Sequence, residues 1–266
     1  MLHKYGTPAF RLEAHLNEVA AYLNVNASFI STPTSLTFVI WSDKHEEEYN
    51  HAARVQPGEL DLGSLARTDE LVSALIDGKL SLIEADERLT YIDQEIKFMH
   101  PLGMGTAFCF ATGAFSVLMG ASLLDAVATG AIGIVMYLFV FWSQHSRRVA
   151  YMLEPAVALV AGVLACAIAH YLEPGINIRL VVLSSIIIFI PGLALAIGLA
   201  ELSSRNVVSG TARVMDALMQ LFKLYFGAFL GISLGFALFS EVEHNPLIRL
   251  PEWSLFVAVL VLCTAL

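Results

Sequence analysis

The chain has 266 residues, of which 57% are hydrophobic and 15% charged, and its formal net charge is −9. A soluble domain carries about 25% charged residues, so a wholly water-soluble protein is excluded, and the acidic balance excludes a nucleic-acid binder, whose phosphate partners need a basic footprint. Residues 1–100 hold 8 basic and 16 acidic side chains, while residues 101–266 hold 7 and 8, so a water-facing part precedes a lipid-facing part.

The chain starts with a polar helical pattern. Thr7-Pro8 reads as a helix start, with Thr as N-cap and Pro at the first helical position. Leu12, Leu16, Val19 and Leu23 then share one face. Two β-rich runs follow, Ala27–Ser31 and Ser35–Trp41, joined by Thr32-Pro33-Thr34. A third strand is expected over about Asn50–Gln56, after a charged hairpin turn at Asp43–Glu48, and Pro57-Gly58 ends it. One helix is expected from about Arg67 to Asp77, stopped by Gly78. Another starts at Ser81, where Glu84 completes a capping box. Residues 1–100 thus read as an α+β domain.

From Pro101 the pattern changes. Apolar runs cover about Leu102–Met119, Ala126–Trp142, Pro155–Leu172, Leu180–Ala200 and Ala217–Ser240, each near the roughly 20 residues that cross a bilayer as a helix. A sixth run, Trp253–Leu266, is 14 residues long, short of that length. The expected fold is an α-helical integral membrane bundle of five full spans plus one partial, with an N-terminal α+β cytoplasmic domain. The domains are 1–100, a five-helix membrane domain over 101–252, and 253–266 as the start of a second membrane block. Basic residues favour inner loops at about Ser143–Tyr151 and Ser203–Arg213 over the outer ones, which places the N-terminal domain in the cytoplasm.

Pro191-Gly192 interrupts the fourth run. Proline removes a helix hydrogen bond and glycine relaxes the turn, which frees backbone groups at membrane depth, as in transporter sites. A packed kink explains it as well. In the fifth run Arg213, Asp216, Gln220 and Lys223 fall at steps of 3, 4 and 3 on one face, with Asp216 able to pair with either cation. Gly227, Gly231 and Gly235 continue that face as a helix-packing track. Glu201 ends the fourth run and is a candidate for proton coupling; a solvated helix end is the plainer alternative. Ser122 and Asp125 have capping-box spacing. Cys109, Cys166 and Cys263 stand alone in apolar runs, with no metal-ligand spacing. His45 and His51 are six apart, which is not the zinc-protease spacing. No cofactor and no catalytic residue is expected.

Several of these motifs together resemble the threonine/serine exporter family. They are Gly6-Thr7-Pro8-Ala9-Phe10-Arg11-Leu12-Glu13, Asp61-Leu62-Gly63-Ser64-Leu65, Gly78-Lys79-Leu80-Ser81-Leu82-Ile83-Glu84-Ala85, Pro191-Gly192-Leu193 with Glu201, and Ser209-Gly210-Thr211-Ala212-Arg213. Asp is more usual in the family where Glu201 stands. The resemblance implies five spans, a second block of about five more in the same or a partner chain, export of amino acids or dicarboxylates, and a fungal branch of pheromone-regulated membrane proteins.

The function expected is a secondary exporter of small polar metabolites, threonine/serine-type amino acids or dicarboxylates, driven by protons. Its path would run by Pro191, Gly192, Arg213, Asp216, Gln220 and Lys223, with Glu201 for coupling. Its partners would be a small-molecule substrate, the lipid of the cell membrane, the second five-helix block and further copies in an oligomer. The alternatives are a membrane-anchored hydrolase acting through the N-terminal domain and a non-transporting subunit of a membrane assembly.

Overall fold

The computed structural model describes residues 2–42, 45–55, 61–94, 101–172, 175–239, 250–251 and 253–265. The chain forms two compact units. Met1–Lys97 groups with Gly192–Ala217, and Phe98–Pro191 with Leu218–Leu266.

In the first unit, helix α1 spans Ala9–Tyr22. The expected cap fails: Pro8, extended at φ −58 and ψ 143, holds the N-cap position, and no side chain of its own turn caps the helix. The Thr7 hydroxyl is buried and has no hydrogen-bond partner among the described residues. Asn24, at φ 52, ends the helix, a left-handed conformation that asparagine tolerates.

Strands β1 (Asn26–Thr32), β2 (Ser35–Ser42) and β3 (His45–Arg54) form an antiparallel sheet in the order β1-β2-β3. Thr32 Oγ1 accepts the Ser35 N–H at 3.0 Å and tightens the first hairpin. Phe29 and Phe38, opposite each other, meet edge to face at 5.7 Å. β3 begins five residues before the expected Asn50, and Glu48 pairs with Trp41. The acidic run is therefore largely strand rather than turn, since an edge strand carries charge at little cost. The expected end at Gln56 lies outside the described residues.

Helix α2 covers Leu62–Ile76, five residues earlier than expected, because the Asp61 side chain accepts the Ser64 N–H at 3.0 Å and starts it. Gly78, at φ 71, stops it. Helix α3 (Leu82–Gln94) opens on the capping box: the Ser81 N–H donates to Glu84 at 2.9 Å, and the Glu84 N–H to Ser81 Oγ at 3.3 Å. Tyr5, Leu71, Leu75, Leu80, Ala85 and Ile92 make the core of this domain, and Arg11 pairs with Asp69 at 2.9 Å to tie α1 to α2.

The second unit holds α4 (Pro101–Leu118), α5 (Leu123–His145), α6 (Arg147–Tyr151), α7 (Leu153–Tyr171) and α8 (Ile178–Ser185), with a 3₁₀ turn at Ile187–Phe189. After α9 (Gly192–Ser203) come α10 (Val207–Phe239) and α11 (Trp253–Ala265). Among the described residues four helices, α4, α5, α7 and α10, are long and apolar enough to cross a membrane, and the broken pair around Pro191 makes up to five. The protein is therefore multi-pass. Ile132, Met136, Val157, Ala161, Val181 and Leu224 lie at its core.

The expected loop Ser203–Arg213 is mostly helix. Only Ser204–Asn206 separate α9 from α10, with Arg205 at φ 66 making the turn. At 33 residues, α10 is about 50 Å long, well beyond the roughly 30 Å of a bilayer core. Its polar first turns belong to the first unit and its apolar remainder to the second.

The capping box at Ser122 and Asp125 is present. Asp125 does more than cap α5: its second oxygen accepts the Asn177 N–H at 2.9 Å, and Asn177 in turn caps α8 through the Leu180 N–H at 3.2 Å.

Candidate functional site

The fourth apolar run breaks where proline requires it. In a continuous helix the Pro191 nitrogen would face the Ile187 carbonyl, but it has no hydrogen to donate. The Ile187 carbonyl takes the Ile190 N–H at 3.1 Å instead, which makes the 3₁₀ turn. Ile190 is then extended, at φ −74 and ψ 122, as a residue before proline prefers. Helix α9 restarts at Gly192, where an added Cβ would meet nothing within 4 Å.

The break frees the Phe189 carbonyl. Gln220 of α10 donates to it through Nε2 at 3.2 Å, so one member of the polar stripe meets the broken segment directly. Close by in sequence, the Ser184 hydroxyl is fully buried and unpartnered among the described residues. Lys223 lies 3.8 Å from Glu154 at the start of α7. Asp216 is exposed, and among the described residues Lys223 pairs with Glu154 and Arg213 with Glu201, not with Asp216 as expected.

Glu201 is not a solvated helix end. Its side chain is 0% exposed. Oε1 accepts the Ala9 N–H, the first of α1, at 2.9 Å. Oε2 accepts Arg213 Nε at 3.3 Å. A helix N-terminus carries partial positive charge, so a cation and a dipole together offset the buried carboxylate. Close packing of α9 on α10 brings Arg213 there: an added Cβ on Gly198 would stand 3.2 Å from the Val214 nitrogen, and one on Gly210 2.8 Å from the Leu202 nitrogen. His3 feels both Glu201 and Arg213. Its Nε2 donates to the Pro33 carbonyl at 3.2 Å, and burial, with help from Arg213, lowers its pKa below the usual histidine value.

Gly227, Gly231 and Gly235 face α7. Added Cβ atoms there would collide with the backbone of Pro155 and Leu159 and with the Cys166 side chain. Sequence reasoning passed over two contributors, Glu154 and the Ala9 amide, whereas the Phe189 carbonyl is one of the backbone groups that the break at Pro191 was expected to free. Glu154 had a signal, an acid in the first turn of an apolar helix beside Pro155. The Ala9 amide had none.

A family model described as "Putative threonine/serine exporter" matches residues 1–235. The chain belongs to this family. Fungal proteins are among the relatives to which it is similar. A pheromone-regulated membrane protein 10 of Pichia sorbitophila is 27% identical over 247 residues, covering 91% of this chain and 24% of the relative. That of Candida albicans is 26% identical over 246 residues, covering 91% and 22%. An uncharacterized protein of Schizosaccharomyces pombe is 23% identical over 249 residues, covering 91% and 32%. The chain thus spans about a quarter to a third of the length of these curated relatives. No solved structure matches.

Proposed function

We propose that this chain is the part of a proton-driven exporter that carries its substrate path, with threonine- or serine-like amino acids or dicarboxylates as substrates. The observation that carries the reading is the break at Pro191 in an apolar span of an exporter-family chain, its freed Phe189 carbonyl met by Gln220 of the polar stripe. Broken helices of this kind serve as substrate and ion sites in transporters. The first amides of α9 have no intrahelical partner and suit a carboxylate or hydroxyl. In this reading the path runs along Pro191, Gly192, Arg213, Asp216, Gln220 and Lys223.

Glu201 is the coupling carboxylate in this proposal. Proton arrival would neutralise it, release Arg213 and weaken the link to α1. The N-terminal domain faces the cytoplasm of a cell-membrane protein, and a further five-helix block, in the same or a partner chain, completes the transporter. Cysteine labelling from outside the cell is then expected at Leu172→Cys and not at His145→Cys; the reverse pattern would refute the orientation.

The N-terminal domain offers little to a hydrolase reading. Both ring nitrogens of its half-buried His15 face carboxylates, Asp69 at 2.9 Å and Glu18 at 3.6 Å, so the ring is not turned toward a hydroxyl nucleophile.

The decisive test is efflux of labelled threonine, serine and a dicarboxylate from cells expressing the full-length gene. The variants are Glu201→Gln, Asp216→Asn, Arg213→Gln and Pro191→Ala, each at normal membrane abundance. Wild-type export by all four would sink the proposed path. Loss of dependence on the proton gradient in Glu201→Gln, with export still measurable, is the expected mark of coupling.

A further inference from the structure

Thr7 is the residue that should cap α1 and does not. A threonine hydroxyl beside a helix start satisfies one of its orphan amides locally. Here that hydroxyl is buried and has no partner among the described residues, while the first amide of α1 is served by Glu201, 192 positions along the chain. The long-range link is thus used although a local cap was at hand, and Glu201 joins more than it caps. One oxygen holds the N-terminal domain; the other holds Arg213 of α10. Glu201 itself sits on α9, the helix that follows the break, and α9 packs on α10 through Gly198 and Gly210.

We propose that Glu201 is a buckle that makes the N-terminal domain, α9 and the first turns of α10 one moving body, so that the domain regulates export by moving with the second half of the broken span. The inference rests on the export reading above. Two groups hold the buckle: the Ala9 N–H and the Arg213 guanidinium. A fully buried carboxylate that loses one of two partners is left uncompensated, so the buckle opens as a unit. The extended residue Ile190 and Pro191 lie just before α9, where a hinge needs only a few residues to absorb a change of φ and ψ.

Ala9→Pro tests this without touching a charge. Proline is favoured at the first position of a helix, and Pro8 is already extended as a residue before proline should be. The variant removes the N–H that Glu201 Oε1 accepts and puts a ring carbon in its place, so the carboxylate must withdraw from the start of α1. Ala9→Ser keeps that N–H and is the control. Hydrogen exchange on the full-length protein in lipid nanodiscs should show the first turn of α1 and the end of α9 opening together, about tenfold faster in Ala9→Pro, as expected for a lost charge-assisted bond. Glu201→Gln should loosen the same two segments, and the β1–β2 hairpin should stay protected in both.

Export by Ala9→Pro at normal abundance should fall by roughly tenfold, as when a gating motion is uncoupled, and should keep its dependence on the proton gradient because Glu201 is intact. Unchanged exchange at the end of α9 in both variants would overturn the buckle. So would wild-type export by Ala9→Pro when both segments have loosened, for the domain would then be a passenger. Either result leaves the coupling role to be judged by Glu201→Gln alone.

Discussion

A Cβ placed on Gly162 of α7 would stand 2.7 Å from the carbonyl carbon of Gly231 of α10. The two helices therefore meet backbone to backbone, the close approach that small residues permit between membrane helices. Dispersion between packed main chains, together with lipid entropy, holds such a pair, since lipid offers no hydrophobic drive.

Gly231→Leu should be destabilising, because its side chain would have to displace the backbone of Leu159. Overpacking of this kind costs about 1–3 kcal/mol. Gly192→Ala is the contrast: nothing lies within 4 Å of its added Cβ, and the loss of backbone freedom in the unfolded chain should leave stability unchanged or raise it by about 0.4–1 kcal/mol. Thermal midpoints of the two detergent-solubilised variants decide this. Equal midpoints would mean that α7 and α10 separate readily.

Asp125→Ala should be costlier than Asn177→Ala. The aspartate serves the Ser122 amide and hydroxyl and the Asn177 amide, whereas the Asn177 side chain serves only the Leu180 amide among the described residues. A lost cap costs about 1 kcal/mol and a buried amide left unpaired about 1–3 kcal/mol. The double variant should lose less than the two separate losses combined, because the two residues are in contact. Strict additivity in thermal unfolding would show that the α5 and α8 starts are independent.

His3 gives the first unit a pH dependence with a definite sign. Burial lowers its pKa in the fold below the unfolded value of 6.5, so the folded state resists the proton more than the unfolded one. Protonation then favours unfolding: stability is full above the unfolded pKa and declines as pH falls through 6.5 toward the lower folded value. His3→Gln should flatten this part of the profile. The check is the thermal midpoint of wild type and variant followed from pH 7.5 to 5, and parallel curves would dismiss the role of His3.

Sequence alone marked the membrane runs because lipid demands about 20 apolar residues per helix. It also marked the break, since proline leaves no other choice at Ile187–Pro191. The stripe from Arg213 to Lys223 followed from helical spacing, but its partners did not. Lys223 meets Glu154, 69 positions away by subtraction of their numbers, and Gln220 meets a main-chain carbonyl. The burial of Glu201 was hidden for the same reason: its partner is an amide, which every residue but proline carries. β3 was misjudged because three glutamates outweighed the pattern, although an edge strand tolerates them.

The reach from Ala9 to Glu201 also orders events at the ribosome. At about 5–20 residues per second, the start of α1 waits roughly 10–40 s after synthesis before the carboxylate that completes it exists. By then α4, α5 and α7 have already been made. The N-terminal domain is therefore finished only after α4, α5 and α7 have been synthesised, so a chain whose α9 is misplaced keeps an unserved amide at the start of α1.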